Sequence, residues 1–171
     1  MPVSVHTPVD WSRIKFYKPS DFKHPEKLDH SVVYGLDRLA FVIGNPALVL
    51  SDYRVDSKFA DSMHKWGRAI DFTYPGIDST EVLGIIRNQK LFSGFGVYVN
   101  AKGVVSFHAD TRTDRSPESP ATWGAQKGLN QSEWTYTSLR SIVDKYLATA
   151  VPSLALLIML GFGLYLYLKE A

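Results

Sequence analysis

His64, Asp71 and His108 are the side chains through which this sequence can do chemistry. The first two lie in Ser62-Met63-His64-Lys65-Trp66-Gly67-Arg68-Ala69-Ile70-Asp71, which reads S-x-H-x-x-G-x-A-x-D. The third lies in Phe107-His108-Ala109-Asp110-Thr111-Arg112. Two imidazoles and a carboxylate are three ligands for Zn2+ and leave a fourth position for water. Zinc lowers that water's pKa towards about 7 and polarises a carbonyl, so the chemistry on offer is hydrolysis. The interval from His64 to Asp71 allows a turn, so one ligand can leave a loop while the other sits on a strand. Gly67 gives the backbone freedom for that turn, and Ala69 keeps the strand slim beside the site.

An isolated histidine is more often structural than functional, and His6, His24 and His30 read that way. Residue types alone leave open whether His64, Asp71 and His108 meet, and manganese or iron suits the same donors. Other chemistries are excluded more firmly. The chain has no cysteine, which rules out disulfides, thiolate zinc sites and cysteine catalysis. Neither a dinucleotide fingerprint nor a phosphate loop is present, and the H-E-x-x-H zincin signature is absent.

The elements that must position these residues follow from periodicity. Apolar residues at Val33, Leu36, Leu39, Ala40 and Ile43 predict a helix over 30–42, stopped by Gly44-Asn45-Pro46. Ala47–Leu50 reads as a short strand and Arg68–Phe72 as another. Ser79 or Thr80 is expected to cap a helix over 81–89. Residues 94–100 and 104–108 predict an antiparallel hairpin around Asn100-Ala-Lys-Gly103, with His108 at the end of its second strand. Residues 111–135 read as a loop or linker, held in part by Trp123 and Trp134. Residues 136–147 read as helical.

The 171 residues, 45% hydrophobic and 21% charged, describe one ordinary globular domain plus a tail. A net charge of +2 with scattered basic residues argues for no nucleic acid partner. The N-terminus lacks a basic stretch followed by an apolar core and does not read as a secretory signal. From Tyr146 to Leu168 there is no charged residue, and about twenty apolar residues cross a bilayer core. A transmembrane helix over 146–168 is therefore expected, with a lipid bilayer as partner and the membrane as location.

The segment Ser62–Asp71 matches in full the S-x-H-x-x-G-x-A-x-D motif of the zinc D-Ala-D-Ala carboxypeptidases. These group with L-Ala-D-Glu endopeptidases, lysostaphin-type enzymes and the hedgehog signalling domain. Phe16–Phe22 resembles that family's opening element. Leu48–Arg54 resembles its I-x-S-G-Y-R strand, with Asp52 where Gly is usual. Val105–Arg112 resembles its F-V-H-x-D-x-R element, followed by Trp123-Gly124. The similarity spans about residues 14–124.

The resemblance implies a hedgehog/DD-peptidase-like α+β fold, a small antiparallel sheet flanked by helices, to which the sequence adds the C-terminal transmembrane helix. It implies a peptidase domain, with an N-terminal extension, over 1–124; composition and hydropathy add a linker or juxtamembrane segment over 125–145 and the membrane span over 146–168. His64, Asp71 and His108 then become the zinc ligands, and Ser62 a brace for the ligand loop. Arg54 becomes a catalytic residue that binds a substrate carboxylate or the oxyanion, or else a structural ion-pair partner.

Where many relatives place a catalytic Glu, this chain has Val105, which cannot move a proton. Asp110 is expected either to act as general base in its place or to orient His108. The implied activity is a zinc metallopeptidase cutting bacterial peptidoglycan peptides, as endopeptidase or carboxypeptidase. With the apolar tail it reads as a membrane-anchored bacteriophage lysis or entry protein, with viral structural proteins as further partners. The alternative is a catalytically impaired zinc-binding structural or wall-binding protein.

Overall fold

The computed structural model describes residues 6–56 and 59–147. Its centre is a six-stranded sheet. The strands are β1 (Leu48–Ser51), β2 (Ala69–Thr73), β3 (Gly94–Val99), β4 (Val105–Asp110), β5 (Ala121–Gln126) and β6 (Thr135–Thr137). They lie in the order β1-β2-β4-β3-β5-β6. Every neighbouring pair is antiparallel except β3 and β5, which run parallel.

The sheet is therefore mixed, not the small antiparallel sheet expected. Asp110, at the end of β4, pairs with Gly94, and Gly94 also pairs with Ala121 at the start of β5. The chain thus leaves β4 at that end, passes β3 and returns along its far side. A strand antiparallel to β4 on that side must be parallel to β3. Strand periodicity carries no information about which edge a returning strand takes.

Alternation along the strands separates two faces. Ile70, Phe72, Phe95, Val97, Val99, Phe107 and Ala109 are buried in the core. Helix α1 (His30–Ile43) and helix α2 (Ser79–Gln89) supply Val32, Val33, Leu36, Leu39, Val82, Leu83 and Ile86 to the same core. Asp29 caps α1 by accepting from Ser31 N, and Gly44 ends it in the left-handed region at φ 82°. Helix α2 is capped by Asp78, one residue before the expected Ser79: its carboxylate accepts from Thr80 N and Glu81 N. A carboxylate also suits the positive end of the helix. The opposite sheet face carries Asp71, Gly96, Tyr98, His108, Asp110 and Trp123, as the cross-strand register dictates.

Segment 125–145 is not a linker. It holds the end of β5, all of β6 and helix α3 (Leu139–Ile142), and it buries Leu139 and Ile142. A π-helical turn, Val143–Leu147, follows. Leu147 is only 3% exposed, its carbonyl accepts from Thr80 Oγ1, and the Tyr146 hydroxyl donates to Gln126. The expected membrane helix and membrane location are corrected accordingly. Among the described residues no helix is long and apolar enough to cross a membrane. The two residues that were to open the span, Tyr146 and Leu147, pack on the domain instead. The remainder of that span, 148–168, lies outside the described residues.

Candidate metal centre

His64 comes from a 3-10 turn, Met63–Trp66, that precedes β2. Gly67 ends the turn at φ 65° and redirects the chain into the strand that carries Asp71. On the sheet Asp71 stands directly opposite His108 of β4. One turn and two adjacent strands therefore bring the three sequence-predicted ligands together.

His64 Nε2 lies 3.2 Å from Asp71 Oδ1 and 3.3 Å from His108 Nδ1, and His108 Nδ1 lies 2.8 Å from Asp71 Oδ1. Tetrahedral ligand atoms around an ion with bonds of about 2.0–2.2 Å stand roughly 3.3–3.6 Å apart, close to two of these separations. The three groups form a cluster that can hold a metal ion. His64 is 1% exposed, while the Asp71 side chain is 22% exposed.

Each imidazole is oriented from behind. His64 Nδ1 meets the main-chain carbonyl of Asp52 at 2.6 Å. A carbonyl only accepts, so the proton sits on Nδ1 and Nε2 presents its lone pair to the cluster. His108 Nε2 meets Asp110 Oδ2 at 3.2 Å, leaving Nδ1 for the cluster. This is the carboxylate–histidine arrangement that fixes a metal-binding ring.

Asp110 is itself fully buried. Arg112 holds it with Nε at 2.9 Å from Oδ1 and Nη2 at 2.6 Å from Oδ2, a two-point pair of high directional strength. Of the two roles open to Asp110, the geometry favours orientation. It sits behind His108, and both its oxygens are engaged by His108 and Arg112. Val105 points to the other side of β4 and packs on the core, so no carboxylate occupies that position either.

The electrostatics follow from this enclosure. Burial alone would raise the Asp71 carboxyl, but the hydrogen bond and charge of His108, with His64 beside it, outweigh this and hold the group well below the usual carboxylate range. Burial would lower His108, yet its bonds to Asp110 and Asp71 push it up to about 9. Burial works against Asp110 as an anion, and Arg112 with His108 reverses this and brings it down to about 2.

Arg54 lies at the cluster's edge, with Nη2 3.4 Å from Asp71 Oδ2 and Nη1 donating to Ser51 Oγ at 3.2 Å. It is part exposed and lines the groove, a cavity of about 710 Å³. Ser62 braces the ligand turn through its main-chain carbonyl, which accepts from Lys65 N at 3.1 Å; its hydroxyl makes no capping bond.

Phe59, Tyr98, Trp134 and Tyr136 carry no motif signal of their own, and with Trp123 they wall the groove. Trp123 Nε1 donates to the Tyr98 hydroxyl at 2.9 Å, and its ring lies 5.1 Å from that of His108. Gly96 faces this indole, and a side chain there would occupy the same space. Arg112 stacks over Trp123 at 5.3 Å while pairing with Asp110. The sequence offered two hints for Arg112: it closes the segment that resembles F-V-H-x-D-x-R, and it follows Asp110 by two residues, the spacing that returns to the same face of an extended chain.

Comparison with described protein families, with curated proteins and with solved structures yields no match for this chain.

Proposed function

We propose that the protein is a metal-dependent peptidase, with zinc as its ion, acting on the peptides of bacterial peptidoglycan. One observation carries the reading: His64 Nε2, His108 Nδ1 and Asp71 Oδ1 converge beside an open groove that His64 and His108 line, each positioned by a partner outside the cluster. The S-x-H-x-x-G-x-A-x-D motif adds the substrate class by resemblance.

A bound zinc ion supplies Lewis acidity and an acidified water for attack on an amide carbonyl. The chain's own residues do the rest. Asp52 and Asp110 hold the two rings with their ligand nitrogens forward. Arg54 steadies the outer oxygen of Asp71 and presents the remainder of its guanidinium to the groove, where it can bind a substrate carboxylate or the charge that develops on the carbonyl oxygen. The aromatic wall excludes water from one side and strengthens each of these interactions.

A second reading has a specific observation behind it. With Asp110 engaged on both oxygens and Val105 turned away, neither of the two positions at which a proton-moving carboxylate was expected supplies a free one. A metal-binding protein that holds wall peptides without cutting them is consistent with that. Incubation of the protein with purified sacculi and zinc, followed by chromatography and mass spectrometry of the released fragments, decides between them. New peptide termini that disappear with His64→Ala support the peptidase. Stoichiometric zinc with intact wall peptides supports the binding protein.

A further inference from the structure

We propose that Asp52 is a positioning residue of the metal centre. By docking residues 23–29 onto the end of β1, it sets the main-chain carbonyl that fixes the His64 ring. The inference rests on the metal-centre reading and is independent of whether peptides are cut.

Asp52 is only 2% exposed, an unusual place for a carboxylate that ligates nothing. Its side chain faces away from the cluster. Oδ2 accepts from Lys23 N at 2.6 Å and His24 N at 3.0 Å, and Oδ1 meets His24 Nδ1 at 3.1 Å. The same residue's carbonyl accepts from His64 Nδ1 at 2.6 Å. Two residues on, Arg54 N donates to the His64 carbonyl at 3.3 Å. One peptide segment is thus fastened on one side to the N-terminal segment and on the other to the ligand turn. A carbonyl rotates only with its peptide plane, so anchoring the Asp52 side chain restricts the atom that selects the His64 tautomer.

The far end of the same segment grips the turn again. Asp29 N donates to the Gly67 carbonyl at 2.8 Å, Arg68 pairs with Asp29 at 3.5 Å, and the Lys27 carbonyl lies where a Gly67 side chain would stand. Residues 23–29 therefore form a strap across the back of the His64 turn. Asp52 is the side chain that fastens its leading end.

Zinc affinity, measured by competition with a chromophoric chelator, tests this in the full chain. Asp52→Ala is expected to weaken binding by about tenfold to a hundredfold, the range for losing a partner that orients a ligand. Asp52→Asn keeps the shape and one accepting oxygen and should restore most of the loss. The second readout needs no metal: the His64 Nδ1 proton, held by a short bond in a buried site, gives a slowly exchanging nitrogen–proton signal that should broaden or vanish in Asp52→Ala.

Unchanged affinity and an unchanged His64 signal, whether or not Asp52→Ala lowers thermal stability, would overturn the proposal and leave Asp52 a purely structural anchor. If Asp52→Ala fails to fold, Asp52→Asn carries the test alone, with a smaller loss of affinity expected and none overturning the idea. Sacculus cleavage plays no part in these readouts, so a failure of the peptidase reading is distinguishable from a failure of this one.

Discussion

His108 joins two opposed demands at one ring. Between Asp71 and Asp110 it holds a proton on each nitrogen up to about pH 9, whereas a metal needs its Nδ1 bare. Metal and proton therefore compete. Affinity should rise about tenfold per pH unit until about pH 9 and then level off. Titration calorimetry near pH 7.5 in buffers of different ionisation enthalpy should find about one proton released per metal bound. A pH-independent affinity would show that the ring is already neutral. The same shift governs the chelator-treated protein. A folded pKa raised above the ordinary 6.5 contributes stability that is complete below pH 6.5 and is lost as pH rises through about 9. Denaturant midpoints between pH 6 and pH 9.5 should fall accordingly, and addition of zinc at the higher pH should reverse the fall.

The 3-10 turn that carries His64 depends on Gly67 twice over. Its backbone is left-handed, and the Lys27 carbonyl fills the space a side chain would take. Gly44 shares the backbone conformation at the end of α1 but has open space around it. Gly44→Ala should cost about 1 kcal/mol. Gly67→Ala adds displacement of main chain and should cost about 2–4 kcal/mol, with a loss of zinc affinity that Gly44→Ala does not share. Thermal melts with and without zinc separate the two. Equal effects would mean that the strap behind the turn yields easily. Gly67 was legible in the sequence as the pivot between His64 and Asp71. The contact with Lys27 was not, because it joins segments far apart in the chain.

Across the molecule, the C-terminal third of the described chain belongs to the fold. Helix α3 and the π-helical turn after it clasp β5: Ile142 packs against Gly124, and Lys145 and Tyr146 both bond Gln126. Ile142 is 1% exposed. Ile142→Ala should therefore destabilise the domain by about 2–5 kcal/mol, read from urea midpoints at constant slope. A change below about 0.5 kcal/mol, typical of surface positions, would return segment 125–145 to the status of a linker. Composition favoured the linker because Ser, Thr, Gly and charge dominate 111–135. Of the helix read over 136–147, Tyr146 and Leu147 were counted into the uncharged run that follows Lys145. Local hydropathy cannot distinguish a residue buried against its own sheet from one buried in lipid, since both environments select the same side chains.

By itself the sequence determined the elements with strong local signals. Helices α1 and α2 lie within a residue or two of their expected bounds, the hairpin of β3 and β4 closes where Asn100–Gly103 predicts, and the three ligands are the residue types a metal requires. These follow from periodicity, turn chemistry and donor chemistry, which neighbours along the chain already express. Only the tertiary structure decided that His64, Asp71 and His108 meet, that Asp110 stands behind His108 with Arg112, that Asp52 fastens a strap behind His64, and that β5 lies parallel to β3. Each of these is a contact between segments brought together by the sheet's strand order, or by a side chain's choice of face. That choice is settled by burial of the whole domain, not by the residues on either side.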